Sequence, residues 1–156
     1  MPDAYAGGGW VNEPITEQGT AFHIVFALVP GEPSGAPIDA VVGLSDGPAD
    51  FFTDLGPIVR FSPAGTLDVR NGSIYSADVS VPYRIGQTYQ VRMDVDLARH
   101  RYSVLVEENG GHTTQIANGY AFRTEQASVT RLNHIGRFID SPTGTLHQIA
   151  YDLTTD

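Results

Sequence analysis

Cysteine is absent from the 156 residues, and so is lysine. Without cysteine there is no disulfide, no thiol nucleophile and no zinc–thiolate site, and the compartment is left open. Without lysine, all nine basic side chains are arginine. GC-rich coding explains that bias simply; bidentate recognition of carboxylate or sulfate groups is the functional alternative. Basic charge is scarce as well: 18 acids against nine arginines leave a net charge of −9. Such a surface repels nucleic acid and anionic membranes, so neither is expected as a partner. Long apolar runs are missing too. Residues 24–30 form one of the longest, far too short to cross a bilayer. The opening MPDAYAGGGW has neither a basic n-region nor an apolar h-region, so no signal peptide is visible in this chain. The expectation is a cytosolic chain or a domain cut from a longer, secreted precursor.

What is present belongs to a folded β protein. The chain is 41% hydrophobic and 17% charged, which is globular rather than disordered. Its length suits one domain over residues 1–156 with a substantial core. Seventeen glycines and ten prolines fit strands and turns better than helices. The clearest pattern runs from Gln87 to Gly111. Tyr89, Val91, Met93 and Val95 alternate with Gln90, Arg92, Asp94 and Asp96; after Leu97–His100, Tyr102, Val104 and Val106 alternate with Arg101, Ser103 and Leu105. Period-two alternation on both sides of a short polar turn predicts an antiparallel hairpin with one buried face.

Further strands are expected over 22–29, 38–45, 58–62, 66–70, 73–81, 112–117, 131–140 and 146–153. Turn signals separate them at Asn71-Gly72 and Asn109-Gly110-Gly111. One helical turn is expected near 124–128. About ten short strands over residues 22–153, with no linker or repeat, predict an all-β, two-sheet antiparallel sandwich.

Three segments carry a resemblance: RFSPAGTLDVRNGSIY (60–75), TYQVRMDVDLARHRYSVLV (88–106) and GYAFRTEQ (119–126). In this order they resemble the concanavalin A-like lectin/glucanase superfamily, in particular its laminin-G-like jelly rolls. The resemblance implies two sheets packed face to face, one of them curved into a concave surface that often holds sugar. It also implies a noncatalytic carbohydrate-binding or accessory domain of a secreted bacterial polysaccharide-active protein. An adhesion module with protein partners, or a lyase or hydrolase with an unrecognised site, is the alternative.

Catalytic motifs are not found. Glucanases of the superfamily carry E-x-D-x-x-E or E-x-D-x-E on one strand, where alternation aims all three carboxylates at one face. The six glutamates here (13, 17, 32, 107, 108 and 125) begin no such motif. Asp94 and Asp96 share a strand face about 7 Å apart, which a solvated hairpin explains as well. The lyase pattern Q-(I/V)-H and its Tyr-Lys strand are not reproduced. The five histidines are scattered, with no metal-ligand spacing.

Calcium, as a structural ion, is the one metal the sequence suggests. Asp46, Asp50 and Asp54 recur at four-residue steps in SDGPADFFTDLG, and clustered hard oxygens on a loop suit that ion; a solvated acidic loop is the simpler reading. Sugar binding, to a neutral or an acidic polysaccharide, needs an aromatic platform beside polar groups. Trp10 and Tyr75 are the aromatic candidates. Arg60, Asp68, Arg70, Arg92 and Asp94 all alternate against apolar neighbours. If their strands are adjacent, they form one polar row on an exposed face, either as ion pairs that keep it soluble or as an arginine-rich groove for uronate or sulfate.

Overall fold

The computed structural model describes residues 9–108 and 110–155; Asn109 of the second turn lies outside them. Eleven strands are present among the described residues: β1 Trp10–Gln18, β2 Ala21–Gly31, β3 Ala40–Ser45, β4 Ile58–Phe61, β5 Thr66–Asn71, β6 Ile74–Pro82, β7 Tyr89–Asp96, β8 Arg101–Glu108, β9 His112–Ala121, β10 Leu132–Ile139 and β11 Thr145–Thr155. They form a six-stranded sheet in the order β1-β10-β3-β4-β5-β6 and a five-stranded sheet in the order β11-β2-β7-β8-β9. All pairings are antiparallel. The all-β sandwich expected from the alternation is what the chain forms. The expected helical turn is a single 3-10 turn, Thr124–Gln126, and a second lies at Phe52–Asp54.

The core lies between the sheets. The β7–β8 hairpin contributes Tyr89, Val91, Met93, Val95, Tyr102, Val104 and Val106, all buried. They meet Phe22, Ile24, Phe26, Val42, Val59, Phe61, Leu67 and Val69. Each fully buried side chain of this size contributes about 1.5–3 kcal/mol by removal from water, so the inward-facing set drives the two sheets together.

A second, smaller apolar cluster sits on the outer side of the six-stranded sheet and shapes that face. Val41, Ala49, Leu55 and Ile58 form it, with Trp10, Tyr75 and Phe138 packed around them. The reason is local. Gly43 and Gly136 are cross-strand partners on β3 and β10. Together they leave a flat, side-chain-free strip on which the loop of residues 46–57 lies. A Cβ on Gly43 would stand 2.6 Å from the Pro57 carbonyl oxygen, and one on Gly136 would stand 3.0 Å from Leu55. Asn12 fastens the loop from β1: its Nδ2 donates to the Ala49 carbonyl at 2.9 Å, and its Oδ1 accepts from the Ala49 amide at 2.8 Å.

Candidate functional site

The loop covers only part of the outer face, and a groove of about 270 Å³ lies beside it. Its floor is set by strand register. Trp10 pairs with Phe138, Phe138 with Val41, Val41 with Arg60 and Arg60 with Asp68. One row of side chains therefore crosses five strands, changing from aromatic to charged along the way. On the next strand pair, Arg70 stands opposite Tyr75. Phe52, from the loop, forms one wall; Arg123 lies at one end, and Asp39 and Asp140 at the other.

Two buried tyrosines hold this floor in place. The Tyr102 hydroxyl, rising from the opposite sheet, accepts from the Ile58 amide and donates to the Arg70 carbonyl, tying β4 to β5. Tyr83 accepts from the Ile38 amide at 2.9 Å and donates to the Ser62 carbonyl at 2.7 Å, fixing the chain just before Asp39. Burial pushes the Tyr102 phenol well above its ordinary range and Tyr83 to about 12. Both stay neutral and act as braces.

The charged groups differ in how far they are engaged. Arg60 grips Asp68 with two parallel bonds, Nε to Oδ1 at 2.9 Å and Nη2 to Oδ2 at 2.7 Å, and this carboxylate holds the Arg60 proton more tightly. Its guanidinium lies 4.1 Å from the Tyr75 ring centroid, with that of Arg70 at 5.1 Å, so one aromatic ring carries two cations. Burial raises the Tyr75 phenol pKa. Arg70 donates through Nε to the Gly72 carbonyl at 2.9 Å and has no carboxylate within ion-pair distance among the described residues. Arg123 binds Glu125 through Nε at 3.1 Å. Burial raises the Asp39 pKa; Arg60 opposes that shift and Asp140 reinforces it.

Beside the groove, Trp10, Phe52 and Phe138 form an aromatic triad with centroids 5.1–5.7 Å apart. Phe52 remains 40% exposed and its neighbour Phe51 70% exposed, so the loop presents apolar rings to solvent next to the arginines. Among the described residues, the other large exposed apolar side chains, Ile74, Val79 and Ile149, are on β6 and β11.

Of the residues singled out from sequence, Arg60, Asp68, Arg70 and Tyr75 meet here, and Trp10 stands at the far end of their row. Arg92 and Asp94 do not join them. Alternation places them outward on β7, but β7 belongs to the five-stranded sheet, so the expected single row is split between opposite faces of the sandwich. There Arg92 binds Asp94 on its own strand at 2.7 Å, with both side chains over 40% exposed. Asp96 caps the hairpin turn by accepting from the Arg99 amide.

The three loop aspartates are not gathered as metal ligands. Asp54 Oδ2 accepts from the amides of Asp50 and Phe51 at 2.9 and 3.1 Å, stabilising the 3-10 turn. Asp46 Oδ1 instead accepts from Arg131 at 3.0 Å and Asn133 at 3.3 Å. No group of three or more His, Asp or Glu able to hold a metal occurs among the described residues. This donor set does not fit calcium.

Asp39, Asp140 and Arg123 are groove residues that the sequence does not single out as a site. The adjacent phenylalanines at 51 and 52 do signal that one is exposed, and GYAFRTEQ marks Phe122 as an edge plug. Phe122 is indeed buried against Tyr102 and His100, while Arg123 turns into the groove. A larger concavity of about 470 Å³ lies between residues 32–37 and 83–85. It has no exposed aromatic ring, and its Glu32 is held by Ser34 and Thr143.

No protein-family model matches the chain, and no curated protein sequence matches it. Solved structures do. A sialidase superposes with a TM-score of 0.63 at 14% identity over 96% of this chain and 14% of its own. The catalytic domain of a glycoside hydrolase family 131 protein from Coprinopsis cinerea gives 0.59 at 12% identity, over 88% of this chain and 57% of its own. Lectin I-B4 from Griffonia simplicifolia, in its metal-free form, gives 0.58 at 9% identity over 88% and 72%. The chain thus spans about a seventh of the sialidase and just over half of the hydrolase domain. The shared feature is the fold, a concanavalin A-like jelly roll.

Proposed function

We propose that the protein is a noncatalytic carbohydrate-binding module and that its glycan lies in the groove on the outer face of the six-stranded sheet. The observation that carries this reading is one groove in which the rings of Phe52 and Tyr75 stand with the charges of Arg60, Arg70, Arg123, Asp39 and Asp140. Sugars need that combination: an apolar ring face stacks on an aromatic while hydroxyls bond to fixed donors and acceptors. The lectin and glycoside hydrolase folds among similar structures support it by analogy. On this reading the chain serves as an accessory domain of a secreted bacterial polysaccharide-active protein.

The test is affinity electrophoresis through gels containing neutral or acidic polysaccharides, with and without calcium. Retardation by a glycan that Phe52→Ala abolishes, with no calcium requirement, is the expected result. No retardation in any gel overturns the reading and favours an adhesion module that meets proteins. Asp39 and Asp140 in one groove support a second reading, a hydrolase, which release of reducing ends from a retarding glycan would establish.

A further inference from the structure

We infer that the groove takes a carboxylate-bearing sugar, a uronic acid, with its carboxylate at the Arg70 end and its hydroxyls at the Asp39–Asp140 end. The inference rests on the carbohydrate-binding reading and narrows it.

Three arginines line this one groove in a chain of net charge −9 that has only nine. They are not equivalent. Arg60 has its fork filled by Asp68, and Arg123 is tied to Glu125. Arg70 is fixed differently: Nε is held by the Gly72 carbonyl and the guanidinium lies near the Tyr75 ring. No carboxylate lies within ion-pair distance of it among the described residues, and Glu125 feels its charge only from further away. A guanidinium pre-positioned by one backbone bond and one ring, with its terminal nitrogens unengaged by any acid, is suited to a planar carboxylate.

The opposite end has the opposite chemistry. Asp39 and Asp140 can only accept when ionised, which suits sugar hydroxyls as donors. Register sets the spacing. Val69 pairs with Val59, so Arg70 is level with Ile58, whereas Ala40 pairs with Phe61 and Asp39 lies one residue further on. Four residues of strand separate the two ends, roughly 13 Å, enough for about two pyranose rings between them. A neutral glycan would leave Arg70 without an anion, and a purely anionic ligand would meet Asp39 and Asp140 unfavourably. A uronic acid satisfies both ends.

The experiment compares polygalacturonate, alginate and a glucuronan with the carboxyl-reduced form of each, which keeps the sugar backbone and removes the charge. Neutral glucans run alongside, and binding is read by calorimetry on the whole chain. We expect at least one uronan to bind, its reduced form to lose about tenfold or more, and Arg70→Gln to lose a similar factor. Arg92→Gln, on the other sheet, is expected to bind like the parent chain. Thermal melting checks that Arg70→Gln is folded; Phe52→Ala provides a second loss of binding that does not touch the charge. Equal binding of a uronan and its reduced form, or binding of neutral glucans alone, overturns this inference and leaves the carbohydrate-binding reading intact. Equal losses in Arg70→Gln and Arg92→Gln also overturn it, as the sign of unspecific charge attraction. Binding of no glycan at all overturns both.

Discussion

The two outer faces of the sandwich carry the same motif, an arginine beside an aspartate, under different conditions. On the five-stranded sheet, Arg92 and Asp94 sit two residues apart on one strand and meet through a single bond in open solvent. On the six-stranded sheet, Arg60 and Asp68 face each other across two strands and meet through two parallel bonds, with side chains only 28% and 15% exposed. The contrast comes from the loop of residues 46–57, for which the five-stranded sheet has no counterpart on its outer face among the described residues. Lying on the Gly43–Gly136 strip, it walls one sheet and lowers the dielectric around its charges. A pair that water would otherwise screen thereby becomes part of a walled groove.

The severest way to break the contrast is to remove the seat of the loop. Gly43→Val places a branched side chain where even a Cβ would stand 2.6 Å from the Pro57 carbonyl, and backbone cannot yield as a flexible side chain can. Overpacking of this kind costs about 3 kcal/mol, which lowers Tm by roughly 6–12 °C for a domain of this size. The groove loses its Phe52 wall and, on the carbohydrate-binding proposal, its glycan affinity with it. The matching substitution on the other face, Gln90→Val, is expected to change stability by less than about 0.5 kcal/mol. Thermal melts of the two variants check the difference. A Gly43→Val protein as stable as Gln90→Val would mean that the loop does not depend on the strip.

Next in size are the ion pairs themselves. Asp68→Asn removes a charge from a half-buried, doubly bonded arginine and is expected to cost about 1–2 kcal/mol. Asp94→Asn removes one from an exposed pair and is expected to cost under about 0.5 kcal/mol. Denaturant midpoints at low and high salt test this, because only the exposed pair is largely screened by ions. Equal costs for the two would remove the physical basis for separating the faces.

The same contrast explains what is legible in the sequence. Alternation along β4, β5 and β7 correctly places Arg60, Asp68, Arg70, Arg92 and Asp94 outward, because the pleat fixes side-chain direction residue by residue. It does not say which sheet each strand joins, and so it sets Arg92 and Asp94 in the wrong company. β1 escapes a reading by pattern for a related reason. Its WVNEPITEQ contains Pro14 and two glutamates, which a central strand would reject and which the edge of the six-stranded sheet tolerates.

β10 inverts the usual pattern, burying Arg137, which donates to the Leu146 carbonyl at 2.7 Å, and turning Phe138 outward to Trp10. Only contact with neighbours reveals such a reversal. Asp39, Asp140 and Arg123 lie at strand ends and in a connection, where no period marks direction. The fold is a property of periodicity and is readable. The site is a property of which strand ends and loops meet, and is half readable.

The smallest expected effect concerns Asp39, and it has a definite sign. Burial in the groove raises its pKa above the ordinary aspartate value of 3.8. The folded state therefore holds this proton more tightly than the unfolded chain does. As pH rises from below 3.8, the unfolded state releases the proton first, and stability falls until the folded group has ionised too. Asp39→Asn removes that loss. The variant should be slightly more stable than the parent at neutral pH, and its advantage should disappear as pH falls below 3.8. Glu32, which lines the larger concavity, provides the opposite case. The Thr143 hydroxyl and the Ser34 amide hold its pKa below the ordinary value of 4.5, so the stability it contributes is present above that value and is lost as pH falls through the lowered pKa. Glu32→Gln should accordingly be the less stable protein at neutral pH and should converge with the parent in acid. Melting temperatures of the three proteins between about pH 3 and pH 7 decide the matter. Were Asp39→Asn to lose stability at neutral pH, the Arg60 charge would outweigh burial at Asp39, and the acidic end of the groove would be electrostatically satisfied without a ligand.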